Sequence, residues 1–260
     1  MDEQPDPPSP DAANRTGAPS ATSPAAEVVA WAQRRWRRLV GLAAVAAASF
    51  TVVVTVGSDD HESIQVVDTG FSTVDEGSAE VTYGVVVENT TADVAYHTVA
   101  CVGLRMDSDD EDDERGCQRF TIEVLLPGQR VGFGGLGTVL SSPEAEVSGI
   151  SVELQGPATW EDPDEDRWAE IVADNLEVAY SPENHPVVSF DRESGYPFDV
   201  VRNATAYAVF RNDRNEIIGA NGTDLLVPVN PREQVRHSIL TETSLPGIAT
   251  AEVYVFPSGI

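Results

Sequence analysis

The chain contains no lysine; all 16 of its basic residues are arginine. Against them stand 43 carboxylates, giving 260 residues a formal net charge of −27. Nucleic-acid binders need clustered positive charge to neutralise phosphates, so no nucleic-acid partner is expected. Cysteine is nearly absent, with two residues, which excludes a disulfide-dense toxin-like scaffold. Glycine and proline, at 20 and 17 residues, show no period, which excludes a collagen-like chain. The four histidines, His61, His97, His185 and His237, lack any zinc-ligand spacing. There is no G-x-S-x-G, no phosphate-binding loop and no dinucleotide fingerprint before a helix. Carboxylate pairs are too numerous to single out a glycosidase pair. The chain is therefore expected not to be an enzyme and to need no cofactor.

What is present begins with an apolar run. Leu39–Val56 (LVGLAAVAAASFTVVVTV) is 18 residues without a charge. As a helix it would span about 27 Å, close to a hydrocarbon core of about 30 Å. Arg34, Arg35, Trp36, Arg37 and Arg38 flank it on one side and Gly57-Ser58-Asp59-Asp60 on the other. The positive-inside rule then predicts a single-pass protein of the cell membrane, with Met1–Arg38 cytoplasmic and Gly57–Ile260 outside. A cleaved signal peptide is the rival reading. It fits less well, because 38 residues precede the run and no clean A-x-A site ends it. Residues 1–27, rich in Pro, Ala, Ser, Thr and Asp, are expected to be a disordered cytoplasmic tail. Residues 28–57 are read as the juxtamembrane and transmembrane helix, with its core at 39–56 in the lipid bilayer. The first 56 residues are neutral, so the whole imbalance of −27 falls from Gly57 onward. Such a surface would keep an exposed domain soluble, and salt would screen its self-repulsion.

Beyond Gly57 the texture changes to short runs rich in β-branched residues, bounded by Gly, Pro, Asn and Asp. Strands are predicted at Val81–Glu88, Thr98–Met106, Arg119–Leu126, Val131–Leu136 and Ile150–Leu154. Gln155–Arg167 (QGPATWEDPDEDR) combines Pro, Gly and acid and reads as linker. Strands resume at Leu176–Tyr180, Val187–Phe190, Ala204–Arg211, Glu216–Ile218, Leu225–Val227, Val235–Ile239 and Ala251–Phe256. The fold class predicted is mainly β: two tandem β-sandwiches, 62–155 and 172–257, joined by an acidic linker at 156–171. The halves read as repeats. Met106-Asp107 is echoed by Asn212-Asp213, and Leu126-Pro127-Gly128 by Asn230-Pro231-Arg232, at offsets of 104 to 106 residues. Gly132–Gly137 (GFGGLG), lying inside a strand pattern, is expected to mark a bend or bulge.

Three segments carry a family resemblance: Tyr83-Gly84-Val85-Val86-Val87-Glu88-Asn89, Leu104-Arg105-Met106-Asp107 and Leu126-Pro127-Gly128. Their second-copy echoes are Val209–Asp213, Arg214–Gly219 and Pro231. This order resembles the FxLYD-type extracellular domains of bacterial and archaeal surface proteins. The F-x-L-Y-D string itself is missing from both copies, and the second has no Gly after its Pro. The resemblance implies small immunoglobulin-like sandwiches, no catalytic residues, and a binding or structural role at the cell surface.

Cys101 and Cys117 flank one loop on adjacent predicted strands. Outside the membrane such a pair is expected to oxidise, closing a 17-residue loop worth about 3 kcal/mol. Free core thiols or metal ligands lacking partners are the alternatives. The loop holds seven acids in the eight residues from Asp107 to Glu114. Asp107, Asp109 and Glu111, with Asp162, Asp164 and Asp166 in the linker, have the alternation a calcium ion seeks. Neither stretch has the Gly and Glu of an EF-hand loop, and a solvated, self-repelling surface is the stronger reading. Trp160 and Trp168 bracket the linker acids. They offer either a ligand platform or, more often, packing of linker on domain. Asn89, Asn203 and Asn221 open N-x-T sequons, for which chance is the default. The expected function is a non-enzymatic, membrane-anchored surface protein presenting two sandwiches to a protein partner or to the envelope. The rival is a solute- or polysaccharide-binding protein with its site between the domains, near Trp160 and Trp168. The oligomeric state is left open.

Overall fold

The computed structural model describes residues 53–56, 64–74, 80–106, 116–138, 147–163, 169–196, 203–228, 230, 232–241, 243–245 and 247–258. The chain is mainly β, and the described residues contain strands and no helix. The strands are β1 (Val53–Val56), β2 (Ile64–Thr73), β3 (Glu80–Asn89), β4 (Val94–Met106), β5 (Gln118–Leu125), β6 (Arg130–Thr138) and β7 (Val147–Gln155). They continue with β8 (Thr159–Glu161), β9 (Ile171–Tyr180), β10 (Pro186–Ser194), β11 (Ala204–Arg211), β12 (Ile217–Leu225), β13 (Gln234–Leu240) and β14 (Thr250–Pro257).

The tail at 1–27 and most of the apolar run lie outside the described residues. The run's last four residues do not: Val53–Val56 pair in parallel with β7. That stretch is strand rather than the end of a helix. Its four residues are all β-branched, which favours a pleated surface. Among the described residues no helix is long and apolar enough to cross a membrane.

The strands form three sheets: β1-β7-β4-β5 with β8 added to β4, then β2-β3-β6, then β12-β11-β14-β9-β10-β13. The first two sheets close over one core containing Tyr83, Val85, Val87, Phe120, Ile122 and Phe133. The third is hinged, because β14 meets β9 at the single register pair Val255↔Ile171. Its two halves face each other across a second core built on Val188, Phe190, Phe210, Ile218, Ile239 and Val255. The two β-sandwiches thus share six strands with one pairing scheme, to which the first adds β1 and β8. β2 pairs β3, β3 pairs β6, and β4 pairs β5 and β7. In the same order β9 pairs β10, β10 pairs β13, and β11 pairs β12 and β14.

The turns repeat as well. Gly128 (φ 69°) and Arg232 (φ 63°) both take the left-handed conformation. The amide of Gln129 donates to the Leu126 carbonyl, as that of Glu233 does to Asn230, both at 3.0 Å. A Pro precedes each left-handed residue in the sequence, which is type II turn chemistry. The loop between β4 and β5 is longer than its counterpart, Asn212–Glu216, which turns tightly through Asn215 at φ 64°.

Glycines in β6 make no bulge. The β3–β6 register runs unbroken from Glu80↔Thr138 to Glu88↔Arg130. Gly132 and Gly134 instead leave one face of the strand bare, and the second sandwich packs there. The stretch read as linker also contributes structure, since Thr159–Glu161 pairs with Val94–Tyr96.

Candidate functional site

The sheet β2-β3-β6 is covered on both faces, which is why β3 reads as a nearly continuous apolar run. Tyr83, Val85 and Val87 point into the first core. Val86 points the other way and packs with Val209, Ile217 and Ala220, flanked by Tyr254. The approach is close. A Cβ on Gly70 would strike the Ile217 carbonyl, one on Gly219 the Thr82 side chain, and one on Gly132 the Tyr254 ring. An aromatic path, Tyr83–Phe120–Tyr207–Phe256, crosses the junction with ring centroids 6.0–6.3 Å apart.

One ion network pins the same junction. Arg211, 5% exposed on β11, donates from Nη1 to Asp68 Oδ2 on β2 at 2.5 Å. Its Nε and Nη2 reach the two oxygens of Glu252 at 3.0 and 3.3 Å. Tyr254 donates its hydroxyl to Glu252 at 2.6 Å. A guanidinium fork on one carboxylate, with a second carboxylate from the other sandwich, fixes orientation as well as distance. The junction can therefore transmit position. At Gly70, Gly132 and Gly219 the described residues of the two sandwiches are in direct contact.

The second core holds a different kind of group. Val188, Phe190 and Arg192 alternate along β10 and all face inward. Arg192 is 0% exposed. Its Nη2 donates to the Val227 carbonyl, while Nε and Nη1 have no hydrogen-bond partner among the described residues. His237 on β13 stands opposite Phe190, with rings 5.8 Å apart, and its Nε2 is also unpartnered among the described residues. Burial holds the His237 imidazole below the ordinary histidine range, and the Arg192 charge adds to this. Sequence reasoning missed Arg192 and read His237 only as lacking zinc-ligand spacing. The period-two alternation of PVVSFDRES was the signal, since it places Arg192 on the face of Val188 and Phe190.

The strand at the hinge of the third sheet, β9, is the third feature. Val178 stands opposite Val188 and so shares its inward face, with Leu176 and Tyr180 in phase. Yet Leu176 and Tyr180 are 40% and 49% exposed. Among the described residues, β9 pairs on its β14 side only at Ile171. An apolar strip therefore lies beside an open strand edge, the arrangement that strand addition exploits.

The residues singled out by sequence are not gathered into one place. Cys101 and Cys117 form a disulfide, with Cα atoms 5.3 Å apart. Trp160 on β8 is partly buried and packs on the first core, so it belongs to a sandwich wall. Asp162 is exposed beyond β8. Asp107, Asp109, Glu111, Asp164, Asp166, Trp168, Arg34, Arg35, Trp36, Arg37 and Arg38 lie outside the described residues. Among the described residues no three His, Cys, Asp or Glu side chains gather as metal ligands would. The Asn89 sequon is closed to modification in the folded chain: Asn89 is fully buried, its Nδ2 donating to Asp93 and Leu125 carbonyls.

No protein-family model and no curated protein matches the chain. Among solved structures it is similar to the C-terminal globular domain of oligosaccharyltransferase from Pyrococcus abyssi, at 9% identity and a TM-score of 0.20. That match covers 74% of this chain and 46% of the other, so the chain spans less than half of the protein it matches.

Proposed function

We propose that the chain is a non-enzymatic surface protein whose two immunoglobulin-like sandwiches, held as one rigid pair outside the cell membrane, present the β9 edge to a protein partner. The observation that carries this reading is the exposed apolar strip Leu176, Val178 and Tyr180 beside an unpaired strand edge. An edge left open in this way either recruits a strand or invites aggregation. The net charge of −27 opposes self-association, and so favours a partner with a different charge balance. The rival, a solute site between the domains, is disfavoured by the glycine contacts that let the two sheets touch.

The arginine-flanked apolar run supplies the location. With Val53–Val56 in β1, Leu39–Val52 remain for the membrane, about 21 Å as a helix. Snorkelling of Arg37 and Arg38, or local thinning, makes up the shortfall. An anchor and a cleaved leader both leave 57–260 on the outer face.

A photo-cross-linking residue at Val178 on intact cells tests the reading, with Ser189 on the opposite face of β10 as control. A specific adduct from Val178 alone is expected, together with digestion of the sandwiches by protease added outside. If the sandwiches survive until the cells are lysed, the orientation is wrong. Equal adducts from both positions would remove the β9 edge as the docking surface.

A further inference from the structure

The two sandwiches can be superposed residue by residue through their shared hydrogen bonds. The amide of Gly128 donates to the Asn89 carbonyl at 2.8 Å, and that of Arg232 to Ser194 at 3.2 Å. Asn89 thus corresponds to Ser194, and two residues upstream Val87 corresponds to Arg192. Five residues beyond each left-handed turn residue, Phe133 corresponds to His237. The registers agree: Val87↔Val131 matches Arg192↔Val235, and Val85↔Phe133 matches Phe190↔His237.

Val87 and Phe133 are both 0% exposed in the first core. The fold is therefore satisfied by two apolar residues at these positions and does not require a cation there. In the second sandwich the same two places hold a guanidinium and an imidazole. Arg192 and His237 are diagonal neighbours across β10 and β13, within reach of long side chains. A guanidinium stays charged at any physiological pH. Asp191 and Glu193, its neighbours in sequence, lie on the outer face, where they bond Arg236 and Gln234. No described carboxylate bonds the inward nitrogens. A buried charge without an opposite charge beside it is among the most costly features a core can hold, and calls for a counter-ion.

We propose that the core of the second sandwich is a binding site for one small monovalent anion, a halide or a carboxylate, held by Arg192 Nε and Nη1 and by His237 Nε2. One guanidinium balances one negative charge. Arg192 has no water-sized space beside it, so the surrounding core must loosen to admit an occupant, which limits it to a few atoms. His237 contributes as the neutral tautomer with the proton on Nε2, donating to the anion beside the fixed charge.

The test is thermal unfolding of the full chain with chloride or formate titrated from ~1 mM to ~100 mM, total ionic strength being held constant with gluconate. Wild type should gain several degrees in Tm as the small anion rises. Arg192→Met should abolish that gain while melting in gluconate at or above wild type, since the uncompensated charge is gone. His237→Phe should reduce it. A response to chloride alone assigns the site to halide, and a stronger one to formate assigns it to carboxylate. If wild type and Arg192→Met respond identically to both anions, the site does not exist. Should Arg192→Met fail to fold, chlorine-35 line broadening on the wild-type chain, reversed by formate, decides the same question. Absence of broadening, with no formate effect on Tm, overturns the proposal.

Discussion

The first sandwich closes its core with Val87 and Phe133; the second puts Arg192 and His237 in the same two places. The first carries a disulfide and has its sheet β2-β3-β6 covered on both faces. The second has no cysteine, and its hinge strand β9 leaves apolar side chains in the open. One topology has thus been completed in two ways. The first copy is the more ordinary solution: apolar inside, cross-linked and enclosed. Features that burial and pairing would normally forbid are concentrated in the second copy, and functional sites are where such local rules are expected to fail.

Exchanging the two cores is the most severe way to break this comparison. Val87→Arg should cost about 3–5 kcal/mol, because it buries a charge beside Phe133 with no second polar group to share an anion. Denaturant unfolding would measure it. Wild-type stability in Val87→Arg would mean that the first core also accommodates a cation, and the contrast would collapse. Reducing Cys101–Cys117 comes next, at about 3 kcal/mol for a 17-residue loop. It should release two thiols to labelling and lower the melting temperature of the single transition that the two sandwiches share. Arg211→Met should cost about 1–2 kcal/mol. It removes a buried guanidinium but leaves Asp68 and Glu252 partly solvated, so the penalty falls short of that for a fully buried pair. The loss should appear as two separate unfolding transitions where wild type shows one.

Much of this architecture was legible. β11 matches its predicted span, because ATAYAVFR is bounded by Asn on both sides and alternates small with large residues. The repeat could be read from Leu126-Pro127-Gly128 and Asn230-Pro231-Arg232, since turn chemistry is local and both turns survive intact. β2 was missed because IQVVDTGFST mixes Asp, Gly and Thr. Its bulge between Val66 and Asp68 breaks the alternation that would have marked it. The GFGGLG strand was misread for a non-local reason. What its glycines accommodate is Tyr254 and Ala220, more than 80 residues away, and no window on the sequence contains both partners. Arg192 was legible in phase but not in consequence. Alternation says which way a side chain points, while only the assembled core says that no described residue there neutralises it.

The smallest effect should come from pH, and it separates the copies most cleanly. His237 has a folded pKa held below the ordinary value of about 6.5 by burial and by the Arg192 charge. As pH falls through the unfolded value, the unfolded chain takes up a proton that the folded chain refuses. Stability conferred by the neutral imidazole is thus complete above about pH 6.5 and is lost as pH drops toward the folded value. The second sandwich should weaken between neutral and mildly acidic pH. His237→Phe, which installs the first sandwich's residue, should flatten that part of the profile. Because the folded chain is ion-paired elsewhere, carboxylate titration will add its own slope at lower pH, so the informative quantity is the difference between variant and wild type. Identical profiles would place the imidazole in contact with solvent, and the two cores would then differ in Arg192 alone.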